Sequence, residues 1–187
     1  NGQIFNDYGR TMSLGGLTDG VYNYELCGAF ASIANGGMYN SPTFYTKIED
    51  KNGNLVYEVE QTQTRVFSES VAYVLTNILE ETVYGAHGTA TYCKVDQIDT
   101  ACKTGTTNNY YDRWLCGFTP YYSAAVWYGY DQNESMSRSG RNPAGSIWAS
   151  VMNQVHAYLD PASFEMPAGV VQAKVCKDTG LLATEKC

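Results

Sequence analysis

A lysine followed by a run of small hydroxyl-bearing residues is the segment of this sequence with the clearest chemistry. Lys103, Thr104, Gly105, Thr106 and Thr107 stand at the end of a predicted strand. A lysine charge and threonine hydroxyl groups suit an anionic group such as a carboxylate. A glycine without a side chain lets the backbone of a ligand approach and pair with the strand. A backbone N–H at the fourth position can stabilise a developing oxyanion.

These properties predict a role for each of the five residues. We predict that Lys103 supplies a positive charge for an anionic substrate terminus and that the backbone N–H of Thr106 contributes to an oxyanion hole. We predict substrate-binding roles for Thr104, Gly105, Thr106 and Thr107. The simpler alternative for the same segment is an ordinary Thr/Gly turn with a solvated lysine.

The other chemically interesting side chains have structural interpretations. The six cysteines contain no C-x-x-C pair and the two histidines are far apart, so the spacing argues against a structural zinc site. We expect His87 to be a solvated loop residue and His156 to interact with the end of a helix. Asp112 is expected to be structural, capping a turn, and Arg113 to be a surface charge.

The cysteines leave several disulfide patterns open. A turn centred near residue 109 would place Cys102 opposite Cys116, which fits either a cross-strand disulfide or two buried thiols. Cys176 and Cys187 flank a turn at Gly180 and form a second candidate pair. A nucleophilic role for Cys102 has no support from a neighbouring histidine.

Three amphipathic helices are predicted around these residues. The first covers residues 23–35, the second 68–84 and the third starts at 142–143. Ser68 and Asn142 are predicted N-caps, and Pro143 suits the first helical turn. The residues expected to face inward are Leu26, Ala29, Phe30 and Ile33 in the first helix, Val71, Val74, Leu75, Ile78, Leu79 and Val83 in the second, and Ile147, Trp148, Val151, Met152 and Val155 in the third.

Two groups of strands are predicted between the helices. Residues 44–49 and 55–60 flank an Asn52-Gly53 turn, which is typical of a hairpin. Residues 98–104, 114–119 and 123–130 form a second group with short connections, as in an antiparallel meander. Residues 85–96 are expected to form a loop. The predicted fold class is α+β, with an antiparallel sheet flanked by helices.

Composition limits the classes of function. The chain has 187 residues, with 12 Lys and Arg against 19 Asp and Glu and a net charge of −7, which argues against non-specific nucleic-acid binding. It contains no apolar run of membrane-spanning length and no signal-peptide pattern. Because it opens with Asn1 rather than methionine, we expect a processed or excised piece of a longer protein.

The segment around residue 103 resembles a known family. Over nearly its whole length the chain is similar to the transpeptidase domain of bifunctional, class A penicillin-binding proteins. The matching residues include Gly15, Gly16, Ala34, Asn35, Gly36, Gly37, Gly88, Thr89, Ala90, 103–107, Asp112, Trp114, Gly117, Thr119, Pro120, Trp127, Gly129, Tyr130 and Trp148. Cys102 stands where the family usually has glycine.

The resemblance implies a fold like that of serine transpeptidases and β-lactamases, and a chemistry. A serine would attack the penultimate D-alanine carbonyl of a peptidoglycan stem peptide, and an amine from a neighbouring stem would complete the cross-link. β-Lactams would acylate the same serine. Lys103 would belong to the proton network, and Thr104 and Thr106 would hold the substrate carboxylate. No cofactor is implied, and the protein would act at the extracytoplasmic face of a bacterial membrane.

The chain departs from the family in one decisive respect. No serine in it is followed by lysine three residues later, and no Ser-x-Asn occurs, so two of the three family motifs are missing. Residues 1–187 are therefore expected to be a partial transpeptidase domain, the C-terminal portion of the fold. Its partners would be the missing N-terminal part of the domain, a stem peptide or a β-lactam. Membrane contact would come only through an upstream segment, and the chain alone would be inert.

Two further interpretations come from a different class of function. The 16 tyrosines are compatible with a module that binds cell-wall glycan or peptide through aromatic rings, without chemistry of its own. A non-catalytic β-lactam sensor on the same fold is the other.

Overall fold

The computed structural model of the protein describes residues 9–18 and 20–185. Its helices are α1 (Asn23–Ala34), α2 (Glu69–Tyr84) and α3 (Pro143–Val155), with short 3-10 helices at Arg10–Leu14 and Thr91–Cys93. Its strands are β1 (Met38–Asn40), β2 (Lys47–Glu49), β3 (Leu55–Glu58), β4 (Gln63–Arg65), β5 (Ala101–Thr106), β6 (Asp112–Phe118) and β7 (Ser123–Gly129). All strand pairs are antiparallel. The predicted α+β class is confirmed.

The central sheet is the predicted meander, in the order β5-β6-β7. Within the part of the chain that the structure describes, β5 pairs only with β6 and is an edge strand. The predicted 52–53 hairpin joins β2 and β3 as a separate two-stranded sheet. Sequence patterning did not predict the third sheet, in which β1 pairs with β4, because each of these strands has only three residues.

Helices cover both faces of the central sheet. On one face, Cys102 and Leu115 pack with Trp148 and Met152 of α3. On the other face, Ala101 and Phe118 pack with Leu79 of α2 and with half-buried residues of α1. Because neighbouring residues of a strand point to opposite faces, these two clusters are separated by the sheet itself. Burying both faces holds β5 in place while one of its edges stays open.

The helix starts are those expected from the sequence. The Ser68 hydroxyl accepts a hydrogen bond from Val71 N–H at 3.3 Å, and the Asn142 side chain accepts one from Ala144 N–H at 3.0 Å. Gly85 ends α2, and its N–H donates to the Glu81 carbonyl oxygen. Residues 85–96 were predicted to form a loop, and within them Thr91–Cys93 form a short 3-10 helix.

The predicted buried faces of the helices were too wide. α3 buries Trp148 and Met152, but its neighbouring apolar row is 43–49% exposed. α2 buries Leu79 and Val83 as predicted, together with Ala72 and Thr76, whereas Val71, Val74 and Ile78 are 47–59% exposed. The apolar positions that were predicted to face inward but are exposed are Ala29, Val71, Val74, Ile78, Ile147, Val151 and Val155. Each helix packs on the sheet along one narrow stripe of residues, and the neighbouring row of apolar residues on the helix surface does not reach the sheet.

The cysteine pairing differs from the expectation by one residue. Cys102 lies opposite Gly117, and Cys116 lies opposite Lys103, so the two sulfur atoms point to opposite faces of the sheet. Both are free, buried thiols, so the alternative of two buried thiols is confirmed and that of a cross-strand disulfide is wrong. Cys176 is disulfide-bonded. Its expected partner Cys187 lies outside the described residues.

Candidate active site

The segment 103–107 lies at the surface along the open edge of β5, and we call residues 103–107 the KTG edge. Lys103 and Thr106 are exposed, and Thr104 and Gly105 are half-buried. The first two residues of the strand, Ala101 and Cys102, are fully buried and anchor it in the core. The strand therefore passes from the interior to the surface at the lysine.

The backbone of the KTG edge has groups free for a ligand. Thr107 N–H donates to the Asp112 carbonyl at 3.2 Å, which makes this a hydrogen-bonded pair of the antiparallel ladder. By the alternation of such ladders, Gly105 and Lys103 also direct their N–H and C=O groups toward β6. Thr104 and Thr106 direct theirs toward the open edge.

Two contacts agree with this alternation. Thr82 of α2 donates its hydroxyl to the Cys102 carbonyl at 2.6 Å, from outside the sheet. Lys103 Nζ donates to the Thr104 carbonyl at 3.1 Å. The end of α2 thus covers the buried start of β5, and Lys103 contacts the open edge beyond Cys102.

The side chains of the KTG edge divide between the two faces of the strand. Thr104 and Thr106 share the α3 face, and Lys103 points to the opposite face. Thr104 Oγ1 lies 3.3 Å from Thr89 Oγ1, and Thr106 Oγ1 accepts a hydrogen bond from Arg113 Nη1 at 3.4 Å. A ligand along this edge would have the lysine on one side and the two hydroxyls on the other.

Gly105 is required by the neighbouring strand as well. It lies opposite Trp114, and a Cβ at position 105 would come within 2.9 Å of the Trp114 Cβ. Two carbons cannot stay at that distance without a shift of one strand. The glycine therefore keeps β5 close to β6 in the middle of the KTG edge.

Thr107 closes the turn between β5 and β6. Its hydroxyl accepts a hydrogen bond from Asp112 N–H at 2.9 Å, and Asn109 and Tyr110 within the turn have φ of 45° and 59°. The Asp112 carboxylate accepts a hydrogen bond from the Trp127 indole of β7 at 2.8 Å, so its contact is structural, as expected, but it is made across the sheet and not with the turn. Thr107 thus holds the turn, and its contact with substrate stays a prediction.

Two residues near the KTG edge were missed or misread from the sequence. Thr89 contributes a hydroxyl beside Thr104, and its position in the Gly88-Thr89-Ala90 match was the available signal. Arg113 was expected to be a surface charge. It is half-buried, and its guanidinium binds Thr106 and the carbonyl of Ser137 at 2.7 Å and lies 4.8 Å from the Tyr110 ring centre.

The cysteine beside the lysine is a core residue. Cys102 and Cys93 are fully buried, and a hydrogen bond between the two thiols raises the pKa of Cys93 and lowers that of Cys102. Opposite Cys102, Gly117 leaves room for the Cys102 Cβ, which would lie 2.5 Å from a Cβ at 117. A substrate cannot reach a sulfur with no exposed surface, so Cys102 is not a nucleophile here.

The two histidines lie where the sequence predicts them. His87 is exposed in the loop after α2, as predicted. His156 is buried at the end of α3, where Nδ1 donates to the Met152 carbonyl at 2.6 Å. Its Nε2 lies 2.8 Å from the Thr119 hydroxyl. The expected contact of His156 with the helix end is confirmed.

Two grooves of the described chain lie away from the KTG edge. Cavities of about 570 and 330 Å³ lie along α2, against residues of the segment that follows α3. Neither is lined by residues of the KTG edge. Lys103, Thr106 and Thr107 of the KTG edge are exposed at the surface. The described residues contain no cluster of three or more metal-ligating side chains, and no helix long and apolar enough to cross a bilayer.

Comparisons with known proteins give the family. The penicillin binding protein transpeptidase domain family matches residues 7–155. Penicillin-binding protein 1A of Clostridium novyi is 34% identical over 177 residues, which cover 93% of this chain and 20% of that protein. Penicillin-binding protein 1A of Clostridium perfringens is 35% identical over 90% of this chain and 20% of its own length. The chain thus spans about a fifth of these relatives.

Solved structures show the same fold. The crystal structure of penicillin-binding protein 1A from Haemophilus influenzae superposes with a TM-score of 0.73 at 21% identity, over 87% of this chain and 30% of that one. The imipenem acyl-enzyme of penicillin-binding protein A from Mycobacterium tuberculosis gives a TM-score of 0.55 at 21% identity, over 69% of this chain and 30% of that one. The resemblance drawn from the sequence is confirmed, and the chain belongs to the penicillin-binding protein transpeptidase family.

Proposed function

We propose that this chain forms one wall of the active site of a peptidoglycan D,D-transpeptidase and is inert without the rest of that site. The observation that carries the proposal is the KTG edge. It is an exposed strand edge on which Thr104 and Thr106 present backbone groups outward, with Lys103 beside them. An extended peptide can pair with such an edge as an additional strand. A stem peptide with a C-terminal carboxylate fits its charge.

The reaction proceeds by acyl transfer in two steps. A serine oxygen attacks the carbonyl of the penultimate D-alanine, an ester bond forms, and the amide bond to the terminal D-alanine breaks. The proton of the serine ends on the departing amine. An amine of a neighbouring stem peptide then attacks the ester, which forms the cross-linking amide and returns the proton to the serine. A β-lactam would enter the first step by opening its ring amide and would stop there.

Each residue of the KTG edge has a role in this scheme. The Lys103 ammonium would stabilise negative charge and help relay the proton at the reacting centre. The outward N–H of Thr106 would donate to the oxyanion of the tetrahedral intermediate. The hydroxyls of Thr104 and Thr106 would bind the carboxylate of the terminal D-alanine, and Gly105 and Thr107 would keep the strand edge flat and its turn closed.

The remaining parts of the site would come from other residues of a longer protein. The sequence has neither S-x-x-K nor S-x-N, and the chain spans about a fifth of its clostridial relatives. We propose that 1–187 is a partial transpeptidase domain, with the nucleophile supplied by an N-terminal part. The complete protein would work at the extracytoplasmic face of a bacterial membrane, as its peptidoglycan substrate requires, and without a cofactor.

Labelling with a fluorescent penicillin tests the proposal. We expect the complete protein to be labelled covalently and the purified chain 1–187 to remain unlabelled, because only the former has a nucleophile. Lys103→Ala in the complete protein should slow labelling by roughly 100-fold or more, the usual scale for loss of a proton-transfer group. Lys51→Ala, an exposed lysine of the β2–β3 turn, is the matched control.

The possible outcomes separate the competing functions. Covalent labelling of 1–187 alone would show that the chain has its own nucleophile and would contradict the proposal. Labelling of the complete protein without release of D-alanine from stem peptides would instead favour a β-lactam sensor. Retention of peptidoglycan without any labelling would favour a binding module.

A further inference from the structure

Arg113 is a half-buried positive charge without a negative partner. It lies on β6, directly opposite Thr106 of the KTG edge. Among the described residues, the ion pairs are Lys47–Glu49 and Arg65–Glu69, and no carboxylate lies within reach of Arg113. Its Nε is buried and has no hydrogen-bond partner in that part of the chain. Buried charges in proteins are normally paired, so the missing counter-charge needs an explanation.

The guanidinium is nevertheless held firmly. Nη2 donates to the Ser137 carbonyl at 2.7 Å, and the Tyr110 ring centre lies 4.8 Å from the guanidinium carbon. Tyr110 is itself held by the loop that follows β7, since its carbonyl accepts a hydrogen bond from Met136 N–H at 3.0 Å. Arg138 of that loop packs its guanidinium carbon 5.0 Å from the same ring. The fold therefore places a positive charge behind Thr106 and fixes it there.

The contact between Arg113 and Thr106 has a direction. Nη1 lies 3.4 Å from Thr106 Oγ1, and a guanidinium can only donate, so the threonine oxygen accepts. With one lone pair of that oxygen facing the guanidinium, the hydroxyl proton is directed away from Arg113 and can be donated elsewhere. Thr106 can therefore donate to an incoming carboxylate while it holds the contact with the positively charged guanidinium.

We infer that Arg113 is a positioning residue for the substrate carboxylate, acting through Thr106. The inference deepens the proposed function and rests on it. The bound carboxylate of a stem peptide or β-lactam would supply the counter-charge that Arg113 lacks among the described residues. Arg113 does not touch the reacting atoms; it orients and polarises the hydroxyl that binds the carboxylate.

Acylation of the complete protein by two forms of one compound tests this role. The probes are a fluorescent penicillin with a free carboxylate and the methyl ester of the same penicillin. We expect the unmodified protein to react faster with the acid. Arg113→Ala should slow acylation by the acid by about tenfold, the scale of one charge-assisted hydrogen bond, and leave the ester reaction unchanged. Arg113→Lys should recover part of the loss because it keeps the charge.

Two further variants separate orientation from structural damage. Arg138→Ala removes a guanidinium from the same tyrosine ring without a contact to Thr106, and should leave the acid-to-ester ratio unchanged. In a Thr106→Ala background, Arg113→Ala should have little additional effect, because the residue through which it acts is gone. This double-variant comparison remains informative even if the single variant is less stable.

The results that would overturn the inference are distinct from those that overturn the function. Equal loss of the acid and ester reactions in Arg113→Ala would show a merely structural residue. If Arg113→Ala reacts with the acid and with the ester at the same rates as the unmodified protein, and that protein prefers the acid, then Arg113 does not serve the carboxylate. No reaction of the unmodified protein with either form would contradict the proposed function, and the inference with it.

Discussion

At the scale of single residues, the KTG edge depends on a glycine that the next strand makes necessary. Gly105 faces Trp114, and an added Cβ would lie 2.9 Å from the tryptophan Cβ. We expect Gly105→Ala to destabilise the protein by about 1–3 kcal/mol, the usual cost of overpacking. Thermal unfolding of the two proteins measures this. An unchanged melting temperature would show that β5 can move away from β6 without cost.

A second residue-scale prediction concerns a buried hydroxyl far from the KTG edge. Thr119 Oγ1 accepts hydrogen bonds from the N–H groups of Tyr121 and Tyr122, each at 3.1 Å, and donates to His156 Nε2. Thr119→Val keeps the shape and leaves these groups unpaired, which should cost roughly 1–3 kcal/mol. Thr119→Ser retains the hydroxyl and should lose much less. Equal unfolding free energies for the two variants would contradict this interpretation.

At the scale of elements, local signals account for where the helices begin. Ser68 caps α2, the helix whose end covers the buried start of β5. We expect Ser68→Ala to reduce stability by about 1 kcal/mol because an orphan N–H at the helix start loses its acceptor. Ser68→Asn, another good N-cap residue, is the control and should be nearly neutral. Urea unfolding distinguishes the two, and similar losses in both variants would argue against a capping role.

The elements also show how far sequence reasoning could reach. The bounds of α2 and the start of α3 could be predicted because caps and apolar spacing are local properties. The pairing of Cys102 with Gly117 could not, because a turn with Asn109 and Tyr110 in left-handed conformations shifts the register by one residue. The KTG edge could be predicted from its motif. The contact of Arg113 with Thr106 depends on that same register, so no spacing in the sequence indicated it.

At the scale of the whole molecule, the buried Cys116 thiol and the half-buried Tyr92 hydroxyl hold their protons more tightly than in the unfolded chain. Burial raises the pKa of Cys116 from 9.0 to about 12 and that of Tyr92 from 10.0 to about 12. Their stabilising effect is complete below about pH 9 and is lost as the pH rises toward 12. We expect the unfolding free energy to fall steadily across this window. In Cys116→Ala the unfolding free energy, measured by denaturant titration at several pH values, should fall less steeply between pH 9 and 12. A fall as steep as in the unmodified protein would show that Cys116 does not contribute to it.

Two helices carry rows of exposed apolar side chains that no other part of the described chain covers. On α3, Ile147, Val151 and Val155 form a row that is 43%, 49% and 49% exposed. On α2, Val71, Val74 and Ile78 form another, 53%, 47% and 59% exposed. Contiguous apolar patches of this kind are normally covered by protein. We therefore expect the purified chain 1–187 to self-associate through these helix faces.

Sedimentation and light scattering over a range of concentrations test this expectation. Replacing Ile147, Val151 and Val155 together by glutamine should shift the chain toward monomer, because the α3 row then has no apolar area to bury. Ser146→Gln with Ser150→Gln changes exposed polar positions of the same helix and should leave association unchanged. A chain that is monomeric at all concentrations and unfolds in one cooperative calorimetric transition would contradict the prediction. It would mean that both apolar rows tolerate water, and that the fold is complete without a covering partner.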